Sequence, residues 1–178
     1  MLTIDNTALV VVDVQAKLMA FIHENDQLVD SLRRIIMGAK AFGLPIIWAE
    51  QNPEGLAPTV DEVAELLPGE PIVKMTMSCC GEEAFVDALG SLGRKQILLT
   101  GIESHVCVYQ TGRDLLAAGY EVYVVADAVS SRTPANRQIG LDALTRAGAH
   151  TTSVEMALFE LMATAEHPAF KQILKIVK

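Results

Sequence analysis

Residues 100–111 read Thr-Gly-Ile-Glu-Ser-His-Val-Cys-Val-Tyr-Gln-Thr, placing Cys107 shortly after the apolar run Ile97-Leu98-Leu99 and at the start of a helical pattern. Two other charged groups stand just past short apolar runs: Asp13 after Val10-Val11-Val12, and Lys74 after Ile72-Val73. A thiol, a carboxylate and an ammonium could act together. The thiolate would attack a carbonyl, and the carboxylate would take and return the proton. The lysine charge would favour both anions. The oxyanion formed needs donors already in place, and the backbone N–H groups from Gly101 to Cys107 are candidates. With Ser104 as N-cap, Cys107 falls at the third helical position, where the positive helix end favours thiolate over thiol. Each residue also has a plainer reading: Asp13 as a helix cap, Lys74 as a solvated strand end, Cys107 as buried packing.

The elements that must position these groups alternate along the whole chain. Ala8–Val12, Pro45–Ala49, Ile72-Val73, Ile97–Leu99 and Glu121–Val125 are short runs rich in apolar residues, and His150–Ser153 is a weaker one. Such runs suit strands buried on both faces, the habit of parallel sheets. Between them lie helical spacings: Leu28, Leu32, Ile35, Ile36 and Ala39 on one face, and Ile139, Leu141, Leu144 and Ala147 on another. Gly43, Gly93, Gly119 and Gly148 stand where helices should stop. The expected architecture is α/β, a three-layer α/β/α domain over residues 1–178 with a six-stranded, mostly parallel sheet in the Rossmann-like order 3-2-1-4-5-6. Ligands of such sheets bind beyond the carboxyl ends of the strands, where Asp13, Lys74 and the Cys107 turn all fall. Lys74 then starts about 10 Å from Asp13, two strand spacings away, so only an outstretched side chain closes the gap.

Composition removes several classes of function. With 178 residues, 51% hydrophobic, the chain can bury a full core. Its net charge of −8 and lack of a basic stripe argue against a nucleic-acid partner. No apolar run approaches the roughly 18 residues of a membrane span. Three cysteines form no disulfide framework and the first residues resemble no leader, so a cytoplasmic setting is expected. Cys79-Cys80 read as packing residues. His23, His150 and His167 lack metal-ligand spacing, and no glycine-rich phosphate loop follows the first strand. No metal or cofactor is expected.

Val-Val-Val-Asp13-Val-Gln15, Val73-Lys74 and Gly101-Ile102-Glu103-Ser104-His105-Val106-Cys107-Val108, in that order, resemble the isochorismatase-like cysteine hydrolase superfamily, which includes nicotinamidases and N-carbamoylsarcosine amidase. Trp48-Ala49-Glu50-Gln51-Asn52-Pro53 with Gly55-Leu56-Ala57-Pro58-Thr59 is similar to its compact isochorismatase-domain branch. The resemblance implies Asp13 as general base and acid, Cys107 as nucleophile and Lys74 as the cation tuning both. It further implies a cis peptide between Ile102 and Glu103, which would aim the Glu103 N–H beside that of Cys107 as an oxyanion hole. Gln15, Leu18, Gln51 and Val106 flank the motifs and are candidate pocket residues. One departure is clear: nicotinamidases carry an Asp-x-His metal motif after the second strand, where this chain has Gln51-Asn52-Pro53-Glu54.

The leading expectation is a metal-independent hydrolase of a small amide or related C–N bond, working through a Cys107 thioester. Two other readings stay open: an idle scaffold or interaction domain, and a vinyl-ether hydrolase using Asp13 and Lys74 without the thiol. A homo-oligomer is expected. The apolar segment Val154–Ile176 covers either the domain's own sheet or a symmetric copy.

Overall fold

A computed structural model describes all residues 1–178. Six strands form one sheet: β1 (Thr7–Val12), β2 (Ile46–Gln51), β3 (Ile72–Lys74), β4 (Gln96–Ile102), β5 (Glu121–Ser130) and β6 (His150–Thr152). Their order is β3-β2-β1-β4-β5-β6, and every neighbouring pair is parallel. The expected order therefore holds, with no antiparallel strand.

The apolar runs become strands because both faces of the sheet are covered. All six residues of β1 are buried. Ala8, Val10 and Val12 face one core, while Leu9 and Val11 face the other, as a two-residue period requires. The first core lies under α5 (Glu83–Ser91), α6 (Cys107–Ala117) and α7 (Pro134–Arg146), with Phe85, Leu89, Val108, Leu115 and Leu144 in it. The second lies under α2 (Asn25–Ala41), α8 (Val154–Met162) and α9 (Phe170–Val177). Short helices α1 (Ala16–Met19), α3 (Pro53–Leu56) and α4 (Asp61–Ala64) fill the connections near the carboxyl edge of β1 and β2.

The C-terminal segment covers its own sheet: Val154, Ala157, Leu158, Leu161, Met162 and Ile173 are buried against α2 and β5. Helix α7 departs from the expected face. It buries Gly140, Leu141 and Leu144, while Ile139 is 58% exposed. Its bare Gly140 fits against the backbone of the Cys107 turn, where an added Cβ would come within 2.4 Å of the Ser104 carbonyl oxygen. That close approach rotates the helix so that Ile139 points outward. Gly101 meets a similar demand, with φ +107° and room for no Cβ beside the Val12 carbonyl.

Candidate active site

Strand order brings the three groups to one place. Asp13 follows β1 and the Cys107 turn follows the adjacent β4, which is the point where the sheet reverses its winding. Lys74 ends β3, two strands away. Its side chain reaches across β2, and Nζ stands 2.7 Å from Asp13 Oδ2 with both side chains fully buried. Nζ also donates to the carbonyls of Thr76 and Met77, each at 3.1 Å, so all three ammonium hydrogens are used. Asp13 does not cap a helix. Its φ is +52°, and α1 begins three residues later.

Asp13 Oδ1 is buried and has no hydrogen-bond partner. Burial pushes the Asp13 carboxyl above its usual range, with Lys74 pulling it back and the buried Glu50 adding to the rise. Cys107 is 5% exposed, and its Sγ lies 3.7 Å from Gln51 Oε1. Its thiol is pushed up to about 12, first by burial and next by the charge of Asp13, with Lys74 offsetting only part.

The expected helix start is corrected. Helix α6 starts at Cys107 itself, with Val106 as its N-cap residue and no side-chain cap. Ser104 is not the cap: it lies two residues before Val106, and its hydroxyl points to Ser131 Oγ at 2.7 Å and donates to the Arg137 carbonyl at 3.2 Å. Being the first helical residue does not compensate for loss of water around the sulfur. Iodoacetamide labelling of Cys107, mapped by peptide mass, should therefore be slow at neutral pH and keep rising beyond the free-thiol pKa of about 8.5. In Asp13→Asn the profile should move to lower pH, since a charge that opposes thiolate is gone while Lys74 remains. A wild-type profile already level near pH 7 (about one and a half units below a free thiol) would contradict this electrostatic picture.

The peptide between Ile102 and Glu103 is cis. In the turn that follows, Ser104 N–H donates to Ser130 O, and Val106 and Val108 N–H both donate to Glu103 O. The N–H groups of Glu103 and Cys107 are left without a backbone acceptor in the turn.

The pocket candidates divide. Gln51 is half-buried beside the thiol, and its Nε2 reaches Met75 O and Met77 Sδ. Leu18 lines a cavity of about 420 Å³ with Phe21, Ile22, Glu103 and Arg132. That cavity adjoins the catalytic candidates through Glu103 and is not lined by Asp13, Lys74 or Cys107. Gln15 is no pocket residue: it is fully buried, donating to Gln51 O and Ala57 O and accepting from Gln51 N–H, which clamps the loop after β2. Val106 is half-buried against the α6-side core and stays outside the cavity. Cys79 and Cys80 are free thiols on a 3-10 turn, with Cys79 N–H on Thr111 Oγ1 at 2.9 Å.

Sequence reading missed Glu50 and Arg132. Glu50 Oε1 accepts the Thr59 N–H at 2.6 Å, and its signal was a carboxylate directly after the apolar run Ile46–Ala49 within one strand. Arg132 follows β5 at the same carboxyl edge as the other groups. No three His, Cys, Asp or Glu side chains come together as a metal-ligand cluster.

A six-stranded parallel sheet with a thiol and a buried carboxylate–ammonium pair at its carboxyl edge defines a Rossmann-like α/β protein. The chain belongs to the isochorismatase family, whose domain matches residues 7–156. Isochorismatase domain-containing protein 1 of Salmo salar is 42% identical over 151 residues, 82% of this chain and 52% of the relative, so this chain spans about half that relative's length. The secreted isochorismatase effector Isc1 of Phytophthora sojae is 37% identical over 97% of this chain and 85% of its own. Among solved structures, MAR1 ribonuclease from Caenorhabditis elegans has a TM-score of 0.92 at 35% identity, covering 99% of this chain and 91% of that one. YcaC from Pseudomonas aeruginosa, with hexane-2,5-diol and covalent acrylamide, scores 0.92 at 27% identity over 98% and 90%. YcaC of Escherichia coli, an octameric hydrolase of unknown specificity, scores 0.89 at 25% identity over 98% and 94%.

Proposed function

We propose that this isochorismatase-family hydrolase cleaves a small amide or related C–N bond through a thioester on Cys107, without a metal. One observation carries the reading: Asp13 is held by Lys74 through Oδ2, while its buried Oδ1 has no partner and the Cys107 thiol lies within reach of its charge. Oδ1 takes the thiol proton as Sγ bonds to the substrate carbonyl carbon. The carbonyl electrons move onto oxygen, which the Glu103 and Cys107 N–H groups stabilise. Asp13 passes the proton to the departing nitrogen, the C–N bond breaks, and the acyl group remains on sulfur. Water then attacks, giving its proton to Asp13, and the thiol is re-formed as the acid leaves. Burial and the Asp13 charge push the thiol upward, which favours transfer to Asp13 during attack rather than before it.

The P. aeruginosa relative carries a covalent acrylamide, which is consistent with a reactive nucleophile in a protein of this fold. The ribonuclease name of the C. elegans relative points elsewhere, but a net charge of −8 and a buried thiol favour a small neutral substrate. Incubation with p-nitrophenyl acetate, quenched early, should leave an acetyl group on Cys107, seen by peptide mass, with a burst of p-nitrophenolate of about one equivalent per chain. Phosphodiester cleavage of RNA by the wild type, lost in Cys107→Ala, would replace this reading.

We also read the protein as a cytoplasmic homo-oligomer. Three unpaired thiols fit a reducing compartment, although the P. sojae relative is secreted by name, and no helix is long and apolar enough to cross a membrane. Val73, Met75 and Val86 are 53%, 68% and 49% exposed near the β3 edge, a surface a second copy would cover. Light scattering should return a mass of more than one chain, and a monomer at micromolar concentration would refute it.

A further inference from the structure

Three consecutive residues at the end of β5 grip three consecutive residues of the Cys107 turn. Ser130 O accepts the Ser104 N–H at 2.9 Å. Ser131 Oγ, fully buried, pairs with Ser104 Oγ at 2.7 Å and His105 Nδ1 at 3.0 Å. Arg132 closes the set, its backbone N–H and its Nε–H both donating to Glu103 Oε2, at 3.0 and 3.1 Å. Glu103 is thus held at its carbonyl by Val106 and Val108 and at its carboxylate by Arg132, while its N–H stays free.

We infer that Arg132 is a positioning residue, which fixes the Glu103 N–H at the oxyanion position by holding the Glu103 carboxylate. The inference rests on the thioester reading above. The Arg132 side chain of the pair is 61% exposed and that of Glu103 13%. An ion pair with so open a partner contributes little to folding, so its contribution is directional. The carboxylate side chain and the N–H share one Cα, and two charge-assisted hydrogen bonds converging on Oε2, one from the Arg132 backbone and one from its Nε–H, limit rotation of the second. Developing charge on a substrate oxygen is sensitive to that direction, since a misplacement near 1 Å can cost on the order of 100-fold in rate.

Two reagents separate this role from simple support of the fold. Acylation of Cys107 by p-nitrophenyl acetate passes through an oxyanion, whereas alkylation by iodoacetamide displaces iodide and builds no oxyanion. Arg132→Ala is expected to slow acylation by about 10- to 100-fold at saturating ester, with the half-saturating ester concentration, the iodoacetamide rate and Tm close to wild type. Glu103→Ala should give at least as large a loss, since it removes the acceptor of both bonds while Arg132→Ala keeps the backbone N–H donation, and the double variant should be no slower than Glu103→Ala.

Equal slowing with both reagents would mean that Arg132 only keeps the site folded or open, and the inference would fall. A change confined to half-saturation would make Arg132 a substrate contact instead, with the same consequence. Unchanged acylation in Arg132→Ala, alongside a normally acylated wild type, would overturn the inference while leaving the thioester reading intact. A wild type that p-nitrophenyl acetate never acylates at Cys107 would remove both.

Discussion

Cys107→Ala is expected to lower kcat/KM for any accepted amide by about 10⁴-fold or more, the scale seen when a covalent nucleophile is deleted. No neighbouring group can take over: the nearest other thiol chemistry is Cys79, which is fully buried and itself pushed up to about 12. The proposed oxyanion donors survive the change, since both are backbone N–H groups, so residual activity should reflect binding and charge stabilisation alone. Losing one sulfur from a site at the rim of the α6-side core should leave the far-UV spectrum and Tm near wild type. The paired variant Asp13→Asn sharpens the result. An amide substrate lost with either variant supports thiol attack with Asp13 moving the proton. Turnover that survives Cys107→Ala and disappears with Asp13→Asn would establish the vinyl-ether type of hydrolysis instead. A wild type that turns over nothing and resists acylation would leave an interaction domain.

Lys74→Ala should destabilise the fold by about 3–5 kcal/mol, as expected when one partner of a buried ion pair is removed. Both side chains are fully buried at 2.7 Å, and Asp13 Oδ1 already lacks a partner. Without Nζ, the second oxygen is orphaned too, along with the carbonyls of Thr76 and Met77. The carboxylate must then stay charged in an apolar surrounding or take up a proton. Lys74→Met with Asp13→Leu should recover much of the loss, since a well-packed apolar pair avoids the uncompensated charge. Activity should return in neither variant. Urea midpoints measure the first effect and ester acylation the second. A Lys74→Ala midpoint matching wild type would show that the pair does not carry an uncompensated charge when broken. Recovered stability with absent acylation would mark the pair as retained for chemistry at the expense of the fold.

Much of this was legible from local chemistry. Ala8–Val12 reads as a doubly buried strand because a two-residue period leaves no polar face, and both halves of that period do meet a core. Alternation of such runs with helical spacings dictated a parallel sheet. Order along the chain then placed Asp13, Lys74 and Cys107 at one edge, because parallel strands all end on the same side. The resemblance of three short motifs supplied the family.

Other features belong to tertiary structure alone. Ser104 has the composition of a helix cap, yet Ser131, 27 residues away, holds its hydroxyl. Gln15 looks like a pocket amide until Gln51 and Ala57, 36 and 42 residues on, consume it. The helix start beside Cys107 suggested a thiolate, whereas burial and the charge of Asp13 push the thiol the other way. Arg132 carried no motif, and its link to Glu103 exists only because β5 lies beside β4. A sequence records which groups can donate, accept or ionise. Which of them remain free, and how strongly they hold a proton, depends on the water removed and the partners supplied when distant segments pack together.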